Sequence, residues 1–291
     1  MKKILFKGCG TAIATPFTQT GVNIKEFERL IESQIQNQVD AIIVCGTTGE
    51  SSTMTKEEKI QAITCAVTTA KKRVPIIVGS GSNNTKQAVE NSKLAESLGA
   101  DGLLVVTPYY NKCTQAGLLE HYQVIAQSVS IPIILYNVPS RTGVNIEPKT
   151  CFALSKISNI VAIKEASGNL SQVADIAHLC GDELTIYSGN DDQVLPILSL
   201  GGLGVISVLS NLKPQFTHDM VMDFLTGNIE SAKQKQLQAL PLIHALFSET
   251  NPIPVKCALN LSGYDFGIPR LPLTEMSNEK QAVLKDLLSS C

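Results

Sequence analysis

The sequence has no tryptophan, few other aromatic residues and no excess of charge of either sign. Its formal net charge is −2 and its pI about 6.1, so nothing indicates binding to nucleic acid or to an anionic membrane surface. No stretch reaches the roughly 18 uninterrupted apolar residues that a membrane-spanning helix needs. The apolar run near the N-terminus is too short for a secretory signal. We therefore expect a soluble, cytoplasmic protein.

Metal-binding and dithiol motifs are also missing. None of the eight cysteines belongs to a CxxC pair, and the four histidines show neither HExxH nor HxH spacing. Reduced cysteines that pack as small apolar side chains are the simplest interpretation. We expect no metal site and no cofactor.

The 291 residues, 44% of them apolar, instead repeat one pattern eight times: a short β-branched run precedes a longer segment of helical periodicity. Most of these runs are apolar throughout, which is typical of strands buried on both faces of a parallel sheet. The predicted strands are Gly10–Ala14, Ala41–Cys45, Ile76–Gly79, Gly102–Val106, Ile131–Asn137, Ile160–Lys164, Leu184–Ser188 and Val205–Val208.

Helix signals occur in the segments between these strands. Thr55-Lys-Glu-Glu58 is a capping box, which predicts that a helix begins there. A second helix is predicted from Asn84 to Leu98, with Gly99 as its left-handed cap. Helices are also predicted at Ile229–Phe247 and Gln281–Leu288, after the strand signals have stopped.

Eight alternating units predict an α/β protein with a (β/α)8 TIM barrel over residues 1–227 and a small C-terminal helical region over residues 228–291. The alternative is an open, doubly wound sheet. That fold often has a GxGxxG turn after its first strand, and Gly8-Cys9-Gly10-Thr11 does not match it.

Lys164 is the strongest candidate for a catalytic residue, because catalytic groups of such barrels lie at the C-terminal ends of the strands. A lysine in a buried strand is costly unless it is neutral or paired. Burial lowers a lysine's pKa, and the neutral amine is the nucleophile that attacks a carbonyl. The alternative is an exposed lysine, or one paired with Glu165.

Other polar residues follow the predicted strands. Tyr136 could relay protons to an amine, the hydroxyls and amides of Thr47-Thr48-Gly49 suit a carboxylate, and Arg141 could bind a second carboxylate. Each also has an ordinary explanation: a packed tyrosine, a simple turn and a solvated arginine. The tandem Tyr109-Tyr110 could be an interface patch. Their shared position at strand ends favours a site.

Two motifs resemble signatures of the dihydrodipicolinate synthase / N-acetylneuraminate lyase superfamily of Schiff-base-forming aldolases. Gly46-Thr-Thr-Gly-Glu50 is similar to its GTTGE signature. Tyr136-Asn-Val-Pro-Ser-Arg-Thr-Gly143, followed by Lys164, is similar to its second signature. The resemblance runs from about Gly8 to the C-terminus.

The resemblance implies a lyase that condenses pyruvate with L-aspartate 4-semialdehyde in diaminopimelate and lysine biosynthesis. It implies that Lys164 forms the imine with pyruvate and that Arg141 binds the semialdehyde carboxylate. The remaining roles that it implies are a proton relay of Tyr136, Thr47 and Tyr110, a pyruvate carboxylate site at Thr48, and a pocket lining from the backbones of Gly189 and Ile206.

The resemblance also implies a homotetramer built from two tight dimers, with Tyr110 reaching into the partner's site. Several family members are inhibited by lysine at that dimer interface. The matching positions are Ser51, Ser52, Lys56, Lys59, Asn83, Gln87 and Tyr109. The inhibited bacterial pattern has histidines where this chain has Lys56 and Lys59, and a glutamate where it has Gln87. We therefore expect weak or absent lysine inhibition.

Two other functions compete with this one. The first is another pyruvate aldolase, such as N-acetylneuraminate lyase or a 2-keto-3-deoxy sugar-acid aldolase; Arg141 and Thr48 argue against the sialic acid lyases, which differ at both positions. The second is a barrel that binds a ligand without catalysis. It would be expected to lack some relay residue, whereas all of them are present here.

Overall fold

Eight parallel strands close into a barrel in the computed structural model, which describes residues 2–289. Each strand pairs with the next one along the chain, and the last pairs with the first, with Gly10 opposite Ile206. The predicted (β/α)8 barrel is therefore confirmed, and the open sheet is wrong. The strands are β1 Gly8–Ala12, β2 Ala41–Val44, β3 Ile76–Gly79, β4 Gly102–Val106, β5 Ile133–Asn137, β6 Ile160–Glu165, β7 Thr185–Ser188 and β8 Gly204–Ser207.

Helices surround the barrel and form the C-terminal region. They are α1 Ile24–Gln36, α2 Lys56–Ala70, α3 Thr85–Ser97, α4 Gln115–Ser128, α5 Pro139–Thr142, α6 Pro148–Leu154, α7 Leu170–Cys180, α8 Val194–Ser199, α9 Pro214–Leu225, α10 Ile229–Leu246, α11 Ile253–Leu261 and α12 Asn278–Ser289. Short 3-10 turns occur at Ser51–Thr53, Gly181–Glu183, Asp191–Gln193 and Leu209–Asn211, and a small antiparallel ribbon pairs Phe17–Thr18 with Gly21–Val22. No described helix is long and apolar enough to cross a membrane.

The predicted helix starts are confirmed at α2 and α3. Thr55 Oγ1 accepts from the Glu58 amide at 3.2 Å, and the Glu58 carboxylate accepts from the Thr55 amide at 2.9 Å. Asn84 caps α3, and Gly99 follows that helix with φ +90°. Local sequence alone determines these boundaries, because each cap is completed within a few residues.

Several boundaries differ from the prediction. β1 ends at Ala12 rather than Ala14, since the amide of Ala14 donates to Asn211 Oδ1 at 3.0 Å instead of continuing the ladder. β5 begins after Pro132, which has no N–H to donate. Helix α11 has no counterpart in the sequence prediction, although proline, here Pro254, is tolerated in a first helical turn.

The C-terminal helices pack directly on the barrel. Ile243 and Leu246 of α10 belong to the same buried apolar cluster as the residues between the strands and the outer helices. The amide of Phe17 donates to the carbonyl of Phe266 at 3.1 Å, which joins the ribbon to the segment after α11. The division between residues 227 and 228 falls in the short connection between α9 and α10, and it stays a prediction.

Candidate active site

A cavity of about 210 Å³ opens at the C-terminal ends of the strands, where the sequence predicted a site. It brings together six of the predicted residues. These are Thr47, Thr48, Tyr136, Arg141, Lys164 and Gly189. They come from separate loops and strands, so only the closed barrel places them side by side.

Lys164 and Tyr136 face each other across neighbouring strands. Their Cα atoms are register partners of β5 and β6, and Lys164 Nζ lies 4.5 Å from the centre of the Tyr136 ring. The lysine is 5% exposed and the tyrosine 8%. An amine and a phenol that are both largely buried beside one cavity form an arrangement suited to carbonyl attack and proton transfer.

Glu165 does not pair with Lys164. Adjacent residues of a strand point to opposite faces, and the Glu165 carboxylate accepts from Asn137 Nδ2 at 2.9 Å, from the Ser167 amide at 2.6 Å and from Gln172 Nε2 at 3.2 Å. It is buried between β6 and the helical layer. The exposed or Glu165-paired alternative for Lys164 is therefore wrong.

Gly189 is required where β7 meets the cavity. A Cβ atom at this position would lie 2.6 Å from Ala166 Cβ and 3.1 Å from Lys164 Cε. Any larger residue would clash with Ala166 and crowd the lysine side chain. The glycine thus permits the backbone of the loop to approach the amine closely.

Asp191, in the same loop, was missed by the sequence analysis. Its Oδ2 accepts from the amides of Val208 and Leu209 at 3.0 and 2.9 Å. Burial raises the pKa of this carboxyl, while hydrogen bonds from Ser207, Leu209 and Val208 and the nearby Lys164 oppose the shift. Asp191 fixes the loop after β7 to the end of β8.

Glu50 stabilises the turn after β2, which contains Thr47 and Thr48. Glu50 adopts a left-handed conformation with φ +54°, and its amide donates to the carbonyl of Thr47 at 3.1 Å. Its buried carboxylate lies 2.7 Å from Lys256 Nζ and accepts from the Arg270 amide at 2.8 Å. The C-terminal region thereby anchors the end of Gly46–Glu50.

Asn251 was also missed, and it lies between α10 and α11 at the edge of the cavity. Its Nδ2 donates to Thr48 Oγ1 at 3.0 Å, and its carbonyl accepts from Arg141 Nη2 at 3.2 Å. The one available signal was the Asn-Pro dipeptide, which indicates a turn and not a site.

Ile206 and Tyr110 do not line this cavity. Ile206, in β8, is fully buried among the apolar residues inside the barrel. Val208, the residue directly after β8, lines the cavity instead. Tyr110 has φ +73° and is 90% exposed. The roles of both residues stay predictions.

A second cavity of about 470 Å³ adjoins the first and shares Thr47, Val138 and Arg141 with it. Five of the seven predicted regulatory residues line it: Ser51, Ser52, Lys59, Gln87 and Tyr109. Lys56 and Asn83 are not in the lining. The charged groups in the described lining are Lys59 and Arg141, with no carboxylate.

The fold and the site define an aldolase-type TIM barrel, with an amine, a phenol, two threonine hydroxyls and a guanidinium at its mouth. Residues 5–291 match the dihydrodipicolinate synthetase family, and the chain belongs to that family.

Individual relatives align with this chain over nearly their whole length. The 4-hydroxy-tetrahydrodipicolinate synthase of Clostridium novyi (strain NT) is 54% identical over 286 residues, which are 98% of this chain and 97% of that protein. The crystal structure of dihydrodipicolinate synthase from Thermotoga maritima is 41% identical with a TM-score of 0.97, and 99% of each chain is covered. A monomeric dihydrodipicolinate synthase variant is 42% identical with a TM-score of 0.96, over 98% of this chain and 96% of that one.

Proposed function

We propose that the chain is a lyase that condenses pyruvate with L-aspartate 4-semialdehyde, the reaction of 4-hydroxy-tetrahydrodipicolinate synthase in diaminopimelate and lysine biosynthesis. The observation that carries this proposal is the pair of Lys164 and Tyr136 at the mouth of the barrel, 4.5 Å from Nζ to ring centre. Full-length relatives with that name support it.

In the proposed reaction Nζ of Lys164 attacks the ketone carbon of pyruvate. The carbonyl oxygen leaves as water, and Tyr136 supplies and recovers protons through Thr47. The resulting protonated imine withdraws electrons, so the methyl group loses a proton and an enamine forms. The enamine carbon then attacks the aldehyde carbon of the second substrate, the aldehyde oxygen takes up a proton, and the protonated imine re-forms. The amino group of the semialdehyde finally displaces the Lys164 amine from the imine carbon, which closes the product ring and frees the lysine.

Two carboxylates need separate binding groups in this reaction. The hydroxyl of Thr48 and the adjacent backbone amides bind the carboxylate of pyruvate deep in the cavity. The guanidinium of Arg141, which is more exposed, binds that of the semialdehyde. Arg141 and Thr48 favour this acceptor over the acceptors of sialic acid or sugar-acid aldolases.

Borohydride trapping tests the proposal. Incubation with pyruvate and borohydride followed by peptide mass analysis should place a reduced adduct on the β6 peptide that contains Lys164. Lys164→Met should abolish it. Lys256 is an internal control, since it is fully buried but lies beside Glu50 and outside the cavity. An adduct at Lys256, or none at all, would overturn the proposal.

We further propose a homotetramer of two tight dimers in which Tyr110 completes the relay of the partner's site. Its 90% exposure and its absence from its own chain's cavity lining support this. Tyr110→Phe and Lys164→Ala chains should each be inactive. After random mixing they should recover about a quarter of wild-type activity, because one of two sites in each mixed dimer is intact. If Tyr110 served its own chain, mixing would recover nothing.

The placement in the cytoplasm and the division into a catalytic barrel of residues 1–227 and a helical region of residues 228–291 are also part of this proposal. The cytoplasmic assignment is supported by the biosynthetic relatives and by the free state of every described cysteine.

A further inference from the structure

Asn251 connects the two carboxylate-binding groups of the cavity. It belongs to the C-terminal region, is 6% exposed and lines the cavity beside Thr48 and Arg141. Its side chain binds one of these residues and its main chain binds the other. The two interactions can therefore be changed independently.

The side-chain contact determines where the hydroxyl hydrogen of Thr48 points. Asn251 Nδ2 donates to Thr48 Oγ1 at 3.0 Å, so one lone pair of that oxygen is occupied. A hydroxyl has a single hydrogen, and an amide nitrogen cannot accept it. The hydrogen must be directed elsewhere. Thr48 is 3% exposed, and the open space beside it is the cavity.

The main-chain contact positions Arg141. The carbonyl of Asn251 accepts from Nη2 at 3.2 Å, which uses one of the five N–H groups of the guanidinium. The other N–H groups remain for a carboxylate. Arg141 lies in the short helix α5, so an anchor outside that helix restricts a long and otherwise mobile side chain.

We propose that Asn251 is a positioning residue that directs the Thr48 hydroxyl as a donor toward the pyruvate carboxylate and separately holds Arg141 for the carboxylate of the second substrate. The inference rests on the proposed function, because it assigns the two anions. Asn251 acts through the two residues that bind them.

The variant Asn251→Ala separates the two contacts, since it deletes Nδ2 and keeps the carbonyl. The KM for pyruvate should rise about tenfold, as expected for a weakened hydrogen bond to a charged acceptor. The KM for the semialdehyde should change less than about twofold. An equal rise in both KM values, or in neither, would overturn the proposal.

Asn251→Asp tests the direction of the hydrogen bond. A carboxylate is acceptor-only, so it would take the Thr48 hydrogen and also repel pyruvate. The KM for pyruvate should rise more than in Asn251→Ala, by about a hundredfold. If Asp is tolerated as well as Asn, Thr48 is the donor in the native contact, and the proposal is wrong.

Two controls separate positioning from general damage. Asn260 lies in the same region, and its side chain binds the backbone of Gly267 and Phe266 instead of the site, so Asn260→Ala should leave both KM values unchanged. In a Thr48→Val background, Asn251→Ala should have no further effect on pyruvate binding. An additive effect would contradict the proposal.

The final measurement is borohydride trapping of Lys164 across a range of pyruvate concentrations, with no second substrate present. In wild type the adduct should saturate, and in Asn251→Ala the half-saturating pyruvate concentration should rise about tenfold. Absence of the adduct from wild type would refute the proposed function. An adduct whose pyruvate dependence is the same in both proteins would refute only the role of Asn251.

Discussion

Replacement of the charged Lys256 side chain by an uncharged one should destabilise the protein strongly. Lys256 Nζ lies 2.7 Å from Glu50 Oε1, with the two side chains 0% and 2% exposed, and it also donates to the carbonyl of Ile268 at 3.2 Å. Burial lowers the pKa of Lys256, and the adjacent Glu50 carboxylate opposes that shift. Lys256→Met keeps most of the side-chain volume and leaves a buried carboxylate without its cation.

The magnitude follows from that uncompensated charge. Breaking a buried ion pair at one partner costs about 3–5 kcal/mol of unfolding free energy. The double variant Glu50→Gln/Lys256→Met has no buried charge at this position, so it should be more stable than Lys256→Met alone, although it contains one more substitution.

Urea unfolding followed by far-UV circular dichroism measures both effects at one fixed protein concentration. Lys233→Met is the matched control, because Lys233 pairs with Glu230 on the exposed face of α10. It should leave the unfolding midpoint unchanged. If Lys256→Met lost less than about 1 kcal/mol, the pair would behave as a surface pair, and the reasoning would be refuted.

Two further predictions concern regulation and pH. Half-maximal inhibition by lysine should require more than roughly millimolar lysine, and Gln87→Glu should lower that concentration by adding a carboxylate for the ammonium group; sub-millimolar inhibition of wild type would contradict this. Burial lowers the pKa of His121 from 6.5 to about 4. Between these two pH values His121 is protonated in the unfolded chain but not in the folded one, so the unfolding free energy should fall as pH falls. His121→Asn should reduce this dependence of the unfolding free energy on pH, measured by urea titrations at several pH values. An unchanged slope would contradict it.

The sequence was sufficient for the barrel because each strand is buried on both faces. The strand Ile160–Glu165 is apolar over its first four residues, and the helix after it is capped locally by Asn169, whose side chain accepts from the Gln172 amide. Both signals are contained within a few residues. The end of β1 was not predictable to the residue, since the side chain of Asn211, far along the chain, terminates its ladder. The start of β5, in contrast, follows from the local Pro132, which has no N–H.

Those site residues that lie at the C-terminal end of a barrel strand, such as Lys164, were predictable, because catalytic groups of this fold are found there. Asn251, which lies in the C-terminal region, was not predictable on that basis. Asn251 acquires its role from Thr48, which is 203 residues earlier in the chain. Hydrophobic periodicity carries no information about such contacts, and a buried carboxylate such as Asp191 has no pattern of its own.

The walls of the catalytic cavity extend along the chain from Ala12 to Asn251. During synthesis on a ribosome, the strands emerge first and the stretch with Asn251 and Lys256 emerges near the end. Until then Thr48 and Glu50 lack the partners that hold them. The enzyme therefore becomes active only after the last part of the chain has been synthesised. A nascent barrel that already has all eight strands is still an incomplete catalyst.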